Sequence, residues 1–153
     1  MREADSAEVS DLTEFAHLTW PANPHQLESI RTQVRGWLAP LDLTEQSKED
    51  LVLAVNEAAS NSVEHAYLPP TPADTVELTF WTEFDTVCLE IVDHGSWRVS
   101  SGRSPGRGRG IEMMERILAS VMIHYDARGT RVLLRHPLQG GSDRALHTAG
   151  GGA

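Results

Sequence analysis

The stretch LVLAVNEAASNSVEHA, residues 51–66, predicts one amphipathic helix. Small and apolar side chains recur at helical spacing on one side of it, which predicts a stripe that faces the core. This stripe consists of Leu51, Val55, Ala58, Ala59, Ser62 and Ala66. The other side carries polar residues at steps of four, and such residues lie above one another because an α-helix turns once in about 3.6 residues.

Glu57 and Asn61 form the polar pair of this helix, and His65 continues the series. A carboxylate and an amide oxygen on one helical face can accept a proton and bind a hard cation such as Mg²⁺. A solvated polar face also explains the pair, but asparagine is a poor residue inside a helix, so Asn61 favours a functional role. We expect His65 to pack or hydrogen-bond near the helix end. The other histidines show no spacing typical of a zinc site.

The composition fits one compact domain. The chain has 153 residues, and 40% of them are hydrophobic, which is enough for a buried core. The net charge of −9 argues against a nucleic-acid-binding module, because such modules usually carry a basic face. The lone cysteine, Cys88, excludes a disulfide framework. We expect no signal peptide in the acidic residues 1–11 and find no apolar run of transmembrane length, so a soluble cytoplasmic protein without a membrane partner is predicted.

Hydrophobic periodicity predicts an α+β fold: a two-layer sandwich with a mixed, mostly antiparallel sheet and helices on one face. One helix is predicted at 25–38, and Thr44 is expected to cap the helix that contains residues 51–66. Alternation of apolar and polar residues predicts an antiparallel hairpin that turns at residues 83–85. The other predicted elements are a first strand at 12–20, a short helix at 111–118, and a final hairpin with strands at 121–125 and 131–135.

The chain is predicted to have three parts. Residues 1–11 form a flexible N-terminus, residues 12–136 form the folded domain, and residues 137–153 form a disordered, Gly-rich tail.

Two further segments point to a bound ligand. Asp93-His94-Gly95 ends a predicted strand; its carboxylate can accept a hydrogen bond from an exocyclic amine, and its glycine lets a flat ring come close. Gly106 to Gly110 precedes a predicted helix, where backbone N–H groups can bind phosphate oxygens. An ordinary turn and a mobile loop explain each segment when it is taken alone. Lys48 is the only lysine, and no Gly-Lys-Ser/Thr sequence occurs, which excludes a Walker-type phosphate loop.

Taken in order, these segments resemble the Bergerat-fold ATPases, the GHKL superfamily of gyrase-type ATPases, chaperones and histidine kinases. The helix motif resembles the N box, Asp93-His94-Gly95 the G1 box, and Gly106 to Gly110 the G2 lid box. Gly129-Thr130 is similar to the last nucleotide-box threonine. The resemblance runs from Pro24 to Arg135, nearly the whole predicted domain.

Within that superfamily, EAASNSVEH at residues 57–65 resembles the anti-sigma-factor serine kinases of bacteria. The resemblance implies that the protein binds ATP and Mg²⁺, binds a sigma factor, and phosphorylates a serine of an anti-sigma-factor antagonist protein. It also implies a homodimer. The main alternative is an ATP-binding anti-sigma module that sequesters its partner without efficient transfer, because the loop between Asp93 and Gly106 is short. The catalytic part of a split histidine kinase is a third hypothesis, which Glu57 disfavours.

The same resemblance implies roles for individual residues. Glu57 matches the general base, and Asn61 matches the magnesium ligand. Asp93 matches the adenine-binding aspartate, and Arg31 matches an arginine that some members use for partner binding. The positions that match further nucleotide contacts are Gly95, Gly106, Gly108, Gly110 and Thr130, the last of them near the adenine.

Overall fold

The computed structural model describes residues 15–67, 71–95 and 120–139. Within these residues, a five-stranded sheet forms one layer and two α-helices form the other. The strands are β1 (Phe15–Pro21), β2 (Thr75–Glu83), β3 (Thr86–Asp93), β4 (Ser120–Asp126) and β5 (Gly129–Pro137), and the helices are α1 (Leu27–Leu38) and α2 (Glu45–Asn61). The strand order is β1-β2-β3-β5-β4, and each neighbouring pair is antiparallel. The predicted α+β class with a mostly antiparallel sheet is therefore confirmed.

Polar side chains cap the 3₁₀ turn that leads into α1 and the start of α2. The side chain of Asn23 caps a short 3₁₀ turn, Pro24–Gln26, and α1 follows directly from it. Because of this turn, the helix that was predicted from residue 25 becomes α-helical only at Leu27. Thr44 caps α2 as predicted, since its Oγ1 accepts a hydrogen bond from the backbone N–H of Ser47 at 3.0 Å.

The core lies between the helices and one face of the sheet. The stripe predicted for residues 51–66 is buried throughout: Leu51, Val55, Ala58, Ala59, Ser62 and Ala66. Alternate residues of β2 are buried as well, as the period-two pattern predicted. Phe80 of β2 is 1% exposed, and its ring stacks on that of Trp37 in α1 with the centroids 5.3 Å apart. The helices thus cover the sheet face to which Phe80 points.

The two predicted hairpins form with turns at the expected places. β2 and β3 join through Phe84 and Asp85, and β4 and β5 join through residues 127–128. Phe84 adopts a left-handed conformation with a φ of +54°, which costs a non-glycine residue about 1–2 kcal/mol. The first predicted strand, 12–20, is observed from Phe15 onward, and its residues 12–14 lie outside the described residues.

Side chains on the other face of β2 are partly exposed, and we call this side of the sheet the open face. Register partners on antiparallel strands point to the same side, so Glu77, Val92, Arg131 and His124 share the open face in one row. Cys88 also points to this side but is buried, and this burial raises the pKa of its thiol. The open face is therefore polar toward the end of the sheet where Asp93 lies.

The chain returns to the body of the fold after β5. The backbone N–H of Leu138 donates to the carbonyl of Asp85, and that of Gln139 donates to the carbonyl of Asp42. The predictions for residues 1–11, 106–110 and 111–118, and for the tail from residue 140, fall outside the described residues. None of the helices that are described is both long and apolar enough to span a membrane.

Replacing Phe80 by alanine is expected to lower the free energy of unfolding by about 3–5 kcal/mol, because it removes a buried ring and leaves a cavity beside Trp37. Urea denaturation followed by circular dichroism measures this loss. Phe84→Ala is the matched control: the side chain of Phe84 is 80% exposed, and its removal should change the stability by no more than about 0.5 kcal/mol. Equal losses in the two variants would contradict the assignment of Phe80 to the core.

Candidate functional site

The end of α2 departs from regular α-helical geometry. After Asn61 the chain continues in one π-helical turn, Ser62–Ala66. The sequence predicted a single helix through Ala66, because the side-chain spacing alone does not reveal this wider turn. Short π-helical turns occur frequently at functional sites. Ser62 and Ala66 are each 2% exposed, so this turn packs into the body of the fold.

Asp93 ends β3 and is 1% exposed. Its Oδ2 accepts a hydrogen bond from the hydroxyl of Ser62 at 2.7 Å, and its Oδ1 accepts one from the backbone N–H of Gly95 at 3.0 Å. A carboxylate that is removed from water needs such donors, because an unpaired buried charge is strongly unfavourable. The bond from Ser62 joins the end of α2 to the end of β3.

Two glycines allow backbone segments to approach Asp93 closely. A Cβ atom on Gly95 would lie 2.2 Å from the carbonyl oxygen of Ala66, so the turn after β3 packs directly on the π-helical turn. A Cβ atom on Gly129 would lie 1.9 Å from the carbonyl oxygen of Asp93, and the φ of Gly129 is +140°. Thr130 follows, pairs in register with Asp93 and is 3% exposed. Residues predicted from two separate segments, Asp93 and Gly95 from one and Thr130 from the other, therefore lie together.

Glu57 and Asn61 lie half-buried on the last turns of α2. Asn61 directly precedes Ser62, so the bond from Ser62 to Asp93 brings the Asn61 carboxamide to the same end of the sheet. Glu57 lies one helical turn earlier on the same face of α2. Glu57 and Asn61 thus lie on the last turns of the helix whose end is hydrogen-bonded to Asp93. The predicted lid residues Gly106, Gly108 and Gly110 lie outside the described residues.

Arg31 lies on α1 and faces α2. Its Nη1 donates to Oδ1 of Asn56 at 2.8 Å, and Asn56 directly precedes Glu57. Arg35, one turn further along α1, forms an ion pair with Glu49 at 3.3 Å. Arg31 is therefore held next to the segment that carries Glu57.

Two residues of this site were not identified from the sequence. Ser62 was assigned to the buried stripe of α2 because its spacing is that of a core residue. Tyr67 received no role, yet its hydroxyl donates to the carbonyl of Thr75 at 2.7 Å and accepts the backbone N–H of His94 at 2.9 Å. Burial raises the pKa of Tyr67. The only sequence signal was an aromatic residue with a polar tip just after the helix, a type that usually finds a hydrogen-bond partner when buried.

A cleft of about 340 Å³ opens at this end of the sheet, bordered by Asp93 and Thr130. Its other walls include His94, His124, Asp126, Arg128 and Arg131. Arg131 and His124 are register partners of the open face, so much of the cleft lies on the side away from α2. The backbone N–H of Arg128 donates to the carboxylate of Asp126 and holds its pKa below the usual range.

The described residues contain no group of three or more histidine, cysteine or carboxylate side chains arranged to bind a metal ion. A magnesium ion that accompanies a nucleotide does not need such a group, because it keeps several waters and takes one or two protein oxygens together with phosphate oxygens. The half-buried carboxamide of Asn61 offers an oxygen of this type. The donor chemistry of the site therefore fits Mg²⁺ delivered with a nucleotide.

Ser62→Ala is expected to lower the free energy of unfolding by about 1–3 kcal/mol, because it leaves a buried oxygen of Asp93 without its hydroxyl donor. Ser60→Ala, the same substitution on a partly exposed position of α2, is the matched control and should have a smaller effect. Guanidinium denaturation of both variants measures the difference. An unaltered Ser62→Ala protein would show that this hydrogen bond does not hold the junction together.

Comparisons with known proteins bear on this site. The family model of the histidine kinase-like ATPase domain matches residues 20–136. The serine-protein kinase RsbW of Bacillus licheniformis is 28% identical over 82 residues, which make up 54% of this chain and 51% of that protein. The chain thus spans about half the length of this curated relative.

Solved structures show the same fold. The structure of the RsbU and RsbW domains of Rv1364c from Mycobacterium tuberculosis matches with a TM-score of 0.63 and 25% identity, over 82% of this chain and 32% of that one. The histidine kinase domain of a blue-light activated histidine kinase from Erythrobacter litoralis matches with a TM-score of 0.56 and 15% identity, over 80% of this chain and 64% of that one. The predicted resemblance to histidine-kinase-like ATPases is confirmed. The chain belongs to the histidine kinase-like ATPase domain family, and within it is similar to the serine-protein kinase RsbW.

Proposed function

We propose that this protein is a cytoplasmic anti-sigma factor with serine kinase activity, which binds Mg-ATP and phosphorylates a serine of an anti-sigma-factor antagonist. The observation that carries this proposal is the hydrogen bond between Ser62 and Asp93 in a chain of this family, because it joins the proposed base-binding carboxylate to the end of the helix that carries Glu57 and Asn61. Similarity to a serine-protein kinase supports the choice of a protein serine as acceptor.

The adenine base would be recognised by Asp93. Its two oxygens accept hydrogen bonds from Ser62 and Gly95, and a carboxylate can also accept a hydrogen bond from an exocyclic amine. Thr130 lies beside it in register and offers a hydroxyl. Gly95 lets the turn after β3 pack on the π-helical turn, which fixes the carboxylate beside it. A planar base that carries an amino group therefore suits this end of the sheet.

The phosphates would lie toward Asn61 and the lid. The Asn61 oxygen would hold Mg²⁺, which neutralises phosphate charge when it is bound. Gly106, Gly108 and Gly110 would offer backbone N–H groups to phosphate oxygens. These donors matter because charge spreads over the oxygens of the transferred phosphoryl group, and fixed donors that face this charge lower the barrier.

Glu57 would act as the general base. The serine hydroxyl oxygen of the antagonist forms a bond to the γ-phosphorus while the bond from that phosphorus to the bridging oxygen of ADP breaks. The proton of the hydroxyl goes to the Glu57 carboxylate, and ADP leaves with the bridging oxygen. The half-buried position of Glu57 on the same face as Asn61 suits this order of groups.

Arg31 would contribute to partner binding. Its guanidinium is anchored by Asn56, directly before Glu57, so a protein that contacts Arg31 is brought next to the proposed base. We propose a sigma factor and the antagonist as the two partners, and a homodimer as the state of assembly.

The proposed function is tested by affinity capture from the native cell in the presence of ATP and of ADP, followed by radiolabelled transfer to the purified partner. The expected result is a small antagonist protein that becomes labelled on serine. Capture of a sigma factor with no transfer to any co-purified protein would instead favour an ATP-binding module that only sequesters. Labelling of a histidine would overturn the assignment as a serine kinase.

Glu57→Gln is expected to bind Mg-ATP with unchanged affinity but to lose about 10²–10⁴-fold of the transfer rate, because the amide cannot accept the serine proton. Calorimetry measures binding, and radiolabelled phosphate transfer measures the rate. Glu45→Gln is the control, since its side chain is 91% exposed at the opposite end of α2. Transfer by Glu57→Gln at the native rate would refute the role as a base.

Asn61→Ala is expected to weaken nucleotide binding in the presence of Mg²⁺ and to leave binding in the presence of a chelator nearly unaltered, because only the metal-dependent part needs the amide oxygen. Calorimetric titrations of ATP with Mg²⁺ and with the chelator measure both quantities for the variant and the native chain. Equal losses under the two conditions would show that Asn61 contacts the nucleotide without the metal or supports the fold.

A further inference from the structure

β4 is one of the two edge strands of the sheet. Among the described residues it pairs with β5 on one side, and no described strand lies on its other side. The pairing with β5 is one residue to one residue along the whole strand, without a bulge. The side chains of Met122 and Tyr125 are 60% and 50% exposed. The outer edge of β4 is therefore regular and partly apolar.

A regular edge can bind a further strand, because its outward N–H and C=O groups have no partner within the sheet. Proteins commonly protect such an edge with a lysine, a proline or a bulge. β4 has none of the three, and its one carboxylate, Asp126, is its last residue. The other edge strand, β1, ends at Pro21, which has no N–H to donate. β4 is thus the edge better suited to pairing.

The turn between β4 and β5 determines which backbone groups of β4 point outward. Asp126 and Gly129 are register partners across a turn of two residues, so they form a hydrogen-bonded pair. Hydrogen-bonded and non-hydrogen-bonded pairs alternate along an antiparallel ladder. The residues whose N–H and C=O groups face away from β5 are therefore Val121, Ile123 and Tyr125.

The sequence of β4 is complementary to itself about Ile123. When a second copy pairs with it antiparallel and centred on this residue, the whole strand is paired, and the outward donors of one copy meet the outward acceptors of the other. The facing pairs are then Ile123 with Ile123, Val121 with Tyr125, Met122 with His124, and Ser120 with Asp126. A hydroxyl thus faces each carboxylate, and no two carboxylates face each other.

We propose that two copies of this chain pair through the outer edges of β4, antiparallel and centred on Ile123, so that their sheets become one continuous sheet. This inference rests on the proposed homodimer and names its interface; it does not depend on the nucleotide site. Main-chain hydrogen bonds along the added strand supply the affinity, and facing side chains fix the register. The exposed side chains of Met122 and Tyr125 each acquire a neighbour in the second copy.

Met122→Cys and His124→Cys, prepared separately and then mixed, test this register. In the proposed dimer, residue 122 of one copy and residue 124 of the other form a non-hydrogen-bonded pair, whose Cβ atoms lie about 4.5 Å apart, close enough for a disulfide. Cysteines at the same position in both copies lie on a diagonal, about 7–8 Å apart. With oxidised glutathione, the mixture is therefore expected to cross-link at least about tenfold faster than either variant alone.

The native chain is the control for this measurement, because its only cysteine, Cys88, is buried. A mixture that cross-links no faster than the single variants would overturn the inference.

Tyr125→Pro tests the outward backbone groups. Proline removes the N–H of residue 125, which does not bond to β5, so the pairing of β4 with β5 keeps its hydrogen bonds. Tyr125→Ala is the matched control, because it loses the same ring but keeps the N–H. The dissociation constant of the dimer, measured by sedimentation, is expected to be about ten- to hundredfold larger for the proline variant, since the lost bond occurs twice in a symmetric dimer. Equal constants would overturn the inference. If circular dichroism shows that Tyr125→Pro is unfolded, the cross-linking result decides.

The inference and the proposed function fail in different ways. A native chain that sediments as a monomer at every concentration overturns the β4 interface together with the homodimer. A dimer whose mixed cysteine variants do not cross-link overturns only the β4 interface. Phosphate transfer to serine is measured separately, so its absence would count against the kinase activity and not against the pairing of β4.

Discussion

The hydrogen bond from Ser62 to the buried carboxylate of Asp93 is the contact on which the rest of the site depends. A carboxylate at the end of a central strand can be removed from water only if donors reach it. One donor is the backbone of Gly95, and the other comes from the end of α2. The end of α2 and the end of the strand are therefore in contact at this point, and the other residues of the site lie around this contact.

Packing of the two helices on the sheet holds this contact in place. On one side of the sheet, the buried stripe of α2 and the stacked rings of Trp37 and Phe80 fix the helices against the strands. At the end of the sheet, the same helix changes to a π-helical turn and presents polar atoms. One helix thus packs into the apolar core along most of its length, and its polar contacts with the end of the sheet begin at about Asn61.

Local rules predicted much of the fold. The cap at Thr44, the buried stripe of α2 and the two hairpin turns each follow from a few neighbouring residues, and each is observed. Such rules did not predict the hydrogen-bond partners of Ser62 and Tyr67. Their partners, Asp93, Thr75 and His94, lie outside the helix, so helical spacing reports that Ser62 is buried but not what its hydroxyl contacts.

The candidate site was predicted through resemblance more than through periodicity. The polar pair on α2 was visible from spacing alone, but the grouping of Asp93, Gly95 and Thr130 came from the order of the family boxes. The structure brings these three together through strand register and through two close backbone approaches. The functional role of each remains a prediction, and the lid segment lies outside the described residues.

The contact between Arg31 and Asn56 has an electrostatic consequence. Arg35 faces the carboxylate of Glu49, which offsets its charge, whereas the partner that the structure gives Arg31 is a neutral amide. An amide fixes the direction of a guanidinium without cancelling its charge. A guanidinium held in this way can attract an acidic group on another molecule, and such an attraction weakens as the ionic strength rises.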